Sequence, residues 1–178
     1  MDKIFHWSYQ TPFPVGKLTF GVTGGGMAIL GFHGLKPYAK SRAFANAIWE
    51  FSEEKTRPYY RQVEEYLKGR RREFTLKLDL RGTEFQMRCW TALMKIPYGE
   101  AKTYAEIAAE VDCPKGFRAV GMANNRNPVA IVVPCHRVIE ANGRLGGYGG
   151  GLPAKEWLLK LEGAEISGAD LQTGHLFA

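Results

Sequence analysis

Two capping boxes constrain this chain more than any other feature. Thr83-Glu84-Phe85-Gln86 and Thr103-Tyr104-Ala105-Glu106 each pair a cap hydroxyl with a longer polar side chain three residues on, so each marks a helix start. Behind the first, Phe85, Cys89, Leu93 and Ile96 recur at helical spacing, which predicts Cys89 in the core. Behind the second, Ile107, Ala108 and Val111 turn inward. DCPKG (112–116) then supplies a brief turn, and FRAVGMANN reads as another helix, ended at NNRNP because a residue before proline avoids the α region. Two short helices joined this way have the sequence appearance of a helix-turn-helix. Helix pairs in proteins that bind no DNA look the same.

The first 80 residues follow a different period. KLTFGVT alternates Leu18, Phe20 and Val22, and MAILGF follows Gly24-Gly25-Gly26, which predicts two strands joined by a glycine turn. PYYRQVEEYLKG sets Tyr60, Val63, Tyr66 and Leu67 on one helical face. FTLKLDL alternates Phe74, Leu76, Leu78 and Leu80 as a half-buried strand, and KGRRR (68–72) reads as a solvated helix end. At the other end of the chain, PAKEWLLKLEGA has Pro153 in its first turn and Gly163 just past its last. The expected organisation is α+β: an N-terminal α/β domain over 1–81, a helical domain over 82–166, and a tail over 167–178.

No apolar run approaches the roughly 20 residues that span a bilayer, and MDKIFHWSYQ lacks the basic head and apolar middle of a signal peptide. Three cysteines, Cys89, Cys113 and Cys135, are too few and too odd for a disulfide framework. Together these predict a cytoplasmic protein without a membrane partner. The net charge of +6 is uneven, with seven basic residues against Glu140 and Glu156 between Lys115 and Lys160. Such a field concentrates polyanions, nucleic acid above all; a solvated basic face with no partner would carry the same charges.

That basic stretch surrounds IVVPCHRVI (131–139), where an apolar strand meets Pro134 and then Cys135, His136 and Arg137. A buried thiol is inert unless a base lies within reach, and the proline turn can bring His136 to the side of Cys135. Glu162 sits in the last turn of its helix, where the macrodipole disfavours an anion. It is either a carboxylate waiting for the imidazole or an exposed glutamate tolerated at small cost. The helix after the turn carries Ala119, Gly121 and Ala123, small enough for close approach to a backbone or for tight helix packing, with Arg118 at its start. GRLGGYGGGLP (143–153) surrounds Tyr148 with six glycines, without a phosphate-cradling pattern; it is a flexible loop or the wall of a pocket for a flat ring. Cys113, Cys135, His6, His33 and His136 show no paired zinc spacing, so no metal and no cofactor are expected.

In order along residues 83 to 165, YGEAKTYAEIA, RAVGMANNRNP, PCHRVI, GGYGGG and KEWLLKLEG resemble the motifs of the O6-alkylguanine-DNA alkyltransferases, direct-reversal DNA repair proteins. The resemblance implies a small ribonuclease-H-like N-terminal domain with a three-stranded antiparallel sheet, then a winged-helix-like alkyltransferase domain. It implies single-turnover, irreversible transfer of an alkyl group from O6-alkylguanine in duplex DNA to Cys135 after base flipping, with O4-alkylthymine an open second lesion. His136 would draw off the thiol proton through a water, Glu162 would orient the imidazole, and Asn127 would brace the turn before the active-site strand. Tyr104 would crowd the target phosphate and donate to a guanine ring nitrogen. Tyr148 would pack along the pocket, the carbonyls of Cys135 and Val138 would accept from the guanine amino group, the Gly149 amide would donate to its oxygen, and Lys155 would lie among the substrate-binding residues. Arg118 would fill the space of the extruded base, and Ala119, Gly121, Ala123 and Asn124 would face the minor groove of DNA bound by a monomer.

The chain departs from that pattern in places. Some members have serine at Gly149, and Asn124 and Ala130 stand where relatives are bulkier or more apolar. With no cysteine before Cys89, the N-terminal zinc site of animal members is expected to be absent here. Two other readings stand beside the alkyltransferase: a damage sensor, although that lineage replaces the cysteine, and a helix-turn-helix regulator, in which His136 and Glu162 would have no role.

Overall fold

The computed structural model describes residues 2–165. Strands β1 (Lys3–Gln10), β2 (Lys17–Thr23), β3 (Gly26–Gly31) and β4 (Ile48–Phe51) form one sheet in the order β3-β2-β1-β4. Leu18, Phe20, Met27 and Leu30 join the main core, whereas Ile4, Ala28 and Ile29 pack with Phe44 in a smaller cluster. β3 carries apolar residues on both faces, whereas β2 alternates Leu18, Phe20 and Val22 with Thr19, Gly21 and Thr23; both strands are buried almost throughout. Helix α1 (Lys36–Ala39) is a single turn, and α2 (Glu53–Leu67), capped by Ser52, lays Tyr60 within 4.6 Å of the Trp7 ring and brings Val63 and Tyr66 into the core.

Both capping boxes form as the sequence predicts. They open α3 (Glu84–Met94) and α4 (Tyr104–Glu110), and the latter is followed by the turn into α5 (Phe117–Asn125). Cys89 and Trp90 of α3 are buried, and the Trp90 indole donates to the carbonyl of Ala123 in α5 at 3.0 Å. A two-residue parallel ladder joins β5 (Lys102–Thr103) to β6 (Val138–Ile139). This ladder holds the start of α4 beside a 3₁₀ turn, Cys135–Arg137. Helix α6 (Leu152–Glu162) ends, as expected, at Gly163 in the left-handed conformation.

Three expectations are corrected. The sheet has four strands and is mixed, because β4 adds to β1 in parallel. β4 is short and mostly exposed, so it carries no alternation to find. FTLKLDL keeps its alternating half-burial but makes only one isolated bridge, Leu78 to Met27. Its passage explains the glycine turn: a Cβ on Gly26 (φ +133°) would lie 2.3 Å from the Lys77 carbonyl oxygen. The apolar run before Cys135 is not a strand either. Val129 bridges Leu30, Ala130 bridges Val133, and Ile131 between them has φ of 72°. The expected tail over 167–178 lies outside the described residues, and no described helix is long and apolar enough to cross a membrane.

Candidate active site

The reversal at 129–133 delivers Cys135 to the site, and one amide holds it together. Asn127 accepts from the Val129 N–H at 3.0 Å and donates through Nδ2 to the Val133 carbonyl at 2.7 Å. The same Nδ2 reaches Cys135 Sγ at 3.1 Å. Asn127 thus closes the loop at both ends and points a donor at the sulfur. Burial pushes the Cys135 thiol above its ordinary pKa; the Asn127 hydrogen bond and the nearby Lys155 charge act against it. Burial is the largest of these causes, so the resting group is the thiol.

His136 is fully buried beside it. Its Nε2 lies 3.1 Å from Glu162 Oε1 at the end of α6. The carboxylate only accepts, so the imidazole proton belongs on Nε2 and the Nδ1 lone pair is left open. Nδ1 has no hydrogen-bond partner among the described residues. Burial lowers the pKa of His136, opposed by Glu162, so the ring rests neutral. Burial by itself would raise Glu162, but hydrogen bonds from His136 and Arg137 outweigh it and hold the carboxyl at about 2. Arg137 grips the carboxylate with Nε at 2.9 Å and Nη2 at 2.8 Å, and donates Nη1 to the Ile96 carbonyl at 2.6 Å. Tyr66 of α2 adds its hydroxyl to Glu162 Oε1 at 2.5 Å.

Lys155 is also buried, on the first turns of α6, and burial lowers its pKa to about 8. Its ammonium donates to the Val138 carbonyl at 2.6 Å and to the Leu145 carbonyl, tying β6 to the glycine loop. Placed so, Lys155 fastens the pocket wall. The Val138 carbonyl expected to receive a substrate amine is already its acceptor, with a second lone pair left over. Tyr104, whose pKa burial and the neighbouring Cys135 raise to about 12, stands across a cavity of about 230 Å³. Gly121, Asn124, Asn125, Cys135 and Tyr148 share its lining with Tyr104, and Gly149 opens onto it with free space around its Cα. Tyr148 meets His136 edge-on at 6.4 Å.

On α5, Arg118 and Ala119 are exposed and Gly121 faces Tyr104. Ala123 corrects the expectation of a DNA-facing small residue: it is 2% exposed and packs into the core, where its carbonyl meets Trp90. Asn124 faces the cavity rather than solvent. The sequence reading missed Arg137 and Tyr66 as partners of Glu162. Arg137 adjoined the motif in plain view, whereas Tyr66 carried only a core-facing helical register. Among the described residues no group of three or more His, Cys, Asp or Glu gathers as metal ligands would.

Residues 84–164 match the family model for the DNA-binding domain of 6-O-methylguanine DNA methyltransferase. The methylated-DNA–protein-cysteine methyltransferase of Methanosarcina acetivorans is 58% identical over 116 residues, spanning 65% of this chain and 74% of that one. Its counterpart from Methanosarcina barkeri is 47% identical over 149 residues, 84% of this chain and 92% of the relative. The crystal structure of Mycobacterium tuberculosis OGT in complex with DNA superposes with a TM-score of 0.75 at 39% identity, covering 94% of this chain and 97% of the other.

Proposed function

The chain belongs to the 6-O-methylguanine DNA methyltransferase family, and from that premise we propose that it repairs duplex DNA by moving an alkyl group from O6-alkylguanine to Cys135. One arrangement carries the reading: a buried thiol is followed in the chain by a neutral imidazole whose Nε2 proton is committed to Glu162 and whose Nδ1 is open. A thiol so placed needs its proton removed only when an electrophile arrives, and a base with a free lone pair supplies that.

The substrate carbon is out of reach inside a base stack, so the nucleotide is flipped, at a cost of a few kcal/mol. Arg118 fills the gap from the minor groove, and Ala119 and Gly121 allow α5 to approach the backbone. Cys135 then gives its proton through a water to His136 Nδ1, and the sulfur attacks the alkyl carbon in line. The S–C bond forms as the C–O6 bond breaks, and the proton lost by the thiol ends on the released guanine. Tyr104, protonated at neutral pH, donates to the ring nitrogen as charge develops there. The Gly149 amide serves O6, the Cys135 and Val138 carbonyls serve the amino group, and Tyr148 packs along the ring. Glu162, fixed by Arg137 and Tyr66, stabilises the imidazolium. A thioether has no leaving route, so each molecule acts once.

In this reading residues 1–81 form a ribonuclease-H-like domain and 82–166 a winged-helix-like one, and the protein works as a monomer. The test is intact-protein mass spectrometry after incubation with duplex DNA containing O6-methylguanine, and in parallel O4-methylthymine. One methyl added at Cys135, and none in Cys135→Ser, is the expected result. Unmodified parent protein that still prefers the lesion would instead identify a sensor.

A further inference from the structure

Buried polar side chains in folded proteins almost always have partners, and one that lacks them calls for an explanation. Besides His136 Nδ1, two side chains at this site meet that description among the described residues: Asn124, with neither Oδ1 nor Nδ2 bonded, and the Tyr148 hydroxyl. Asn124 is 8% exposed, with both amide atoms of its side chain buried, and it lines the cavity that holds Cys135 although it belongs to the surface-lying helix α5. Its neighbour Asn127, one turn on, spends its whole amide on the loop and the sulfur. Asn124 does none of that work. An apolar side chain of the same size would satisfy packing at this position without leaving a donor and an acceptor unpaired in a buried place.

We propose that the Asn124 amide recognises the extruded base directly, donating and accepting hydrogen bonds along its polar edge, and so makes the pocket selective for a nucleobase over the alkyl group it carries. The inference rests on the alkyl-transfer reading and deepens it. Three features point to a base rather than to the alkyl substituent. An alkyl chain offers nothing to either amide atom, whereas guanine carries donors and acceptors side by side. The other walls are a tyrosine ring, a second tyrosine ring and glycine backbone, which suit a flat ring and leave the asparagine as the side-chain amide facing in with Asn125. Tyr104 and Tyr148 are each held protonated, by burial first, and so act as donors; among the unbonded side-chain groups at the cavity, Asn124 adds an acceptor that does not depend on ionisation.

The test is single-turnover transfer from three duplexes, containing O6-methylguanine, its 7-deaza analogue, or O6-methylhypoxanthine, which lacks the amino group. Each is run with the parent, Asn124→Ala and Asn124→Leu. Losing a hydrogen bond to a buried group lowers the O6-methylguanine rate about tenfold to a hundredfold in both variants. At least one analogue, slow with the parent, should suffer no further loss in the variants, because the partner atom is already gone. Alkylation of Cys135 by iodoacetamide should match the parent, showing the fold and thiol intact. If the variants slow all three duplexes by one common factor, or slow none, Asn124 does not read the base and the inference falls. Failure of the parent itself to accept a methyl from any duplex would overturn the transfer reading instead, a result the variants cannot imitate.

Discussion

Glu162 is the residue on which the chemistry turns, because it is a full negative charge in a place that should reject one. It sits at the C-terminal end of α6, against the macrodipole, and it is buried. Arg137 neutralises it with two hydrogen bonds, and Tyr66, His136 and the Gly99 backbone N–H donate to it as well. The result is a carboxylate too well satisfied to take a proton, which fixes the imidazole tautomer and leaves Nδ1 as the basic atom. His136→Ala should therefore slow alkyl transfer by about a hundredfold or more, while the affinity for undamaged duplex stays near that of the parent. Equal single-turnover rates for the two proteins would remove His136 from the mechanism.

At the scale of elements, α5 serves two surfaces at once. Val120 and Ala123 face the core, Asn124 faces the cavity, and Arg118, Ala119 and Met122 face outward. This division comes from a helix only nine residues long laid across α3, with Trp90 reaching over to bond its backbone. The Arg118 guanidinium, 5.9 Å from the exposed Phe117 ring, stands at the end of α5 nearest the turn from α4. Arg118→Ala should lower the second-order rate on duplex O6-methylguanine about tenfold and leave the rate with free O6-methylguanine base unchanged. A matching loss on the free base would place Arg118 in the pocket rather than at the helix of the DNA.

Across the whole molecule, the N-terminal sheet and the helical half meet at the site through Tyr66, whose hydroxyl crosses from α2 to Glu162 and lies 3.3 Å from His136 Nε2. Burial of this cluster makes stability depend on pH in a definite direction. His136 titrates below its ordinary 6.5 in the folded protein, so as pH falls through 6.5 the unfolded chain takes up a proton that the folded one refuses. Stability is then lost on acidification. The contribution of Glu162 is complete above its ordinary 4.5 and disappears as pH falls from there toward about 2. Urea unfolding of the parent should show two successive losses, and His136→Ala should lack most of the first. His6 is lowered by burial too, and acts in the same direction in both proteins, so the difference between them isolates His136. Parallel stability curves between about pH 7.5 and 5.5 (one unit either side of the ordinary histidine value) would show that His136 does not resist protonation.

Much of this was legible in the chain itself. The capping boxes set the starts of α3 and α4 because a cap is a local bargain between residues three apart, and nothing distant can move it. Cys135, His136 and Glu162 stood out by residue type and position, and family resemblance added Asn127 and supplied the roles of all four. Other features depended on residues far apart in sequence. The run before Cys135 reads as a strand by composition, yet Leu30 of the sheet pairs with its start and Asn127 clamps it into a reversal. FTLKLDL alternates like a strand but finds only one bridge, and the four-residue β4 has no pattern at all. Which small residue of α5 faces out, and that Lys155 fastens a wall while Tyr66 crosses over to Glu162, follow from packing. Sequence determined the local hydrogen bonds and the chemical inventory, since both are properties of neighbouring residues. Tertiary structure decided which of those groups are buried together, and burial is what sets their charges, their tautomer and the atoms left free to react.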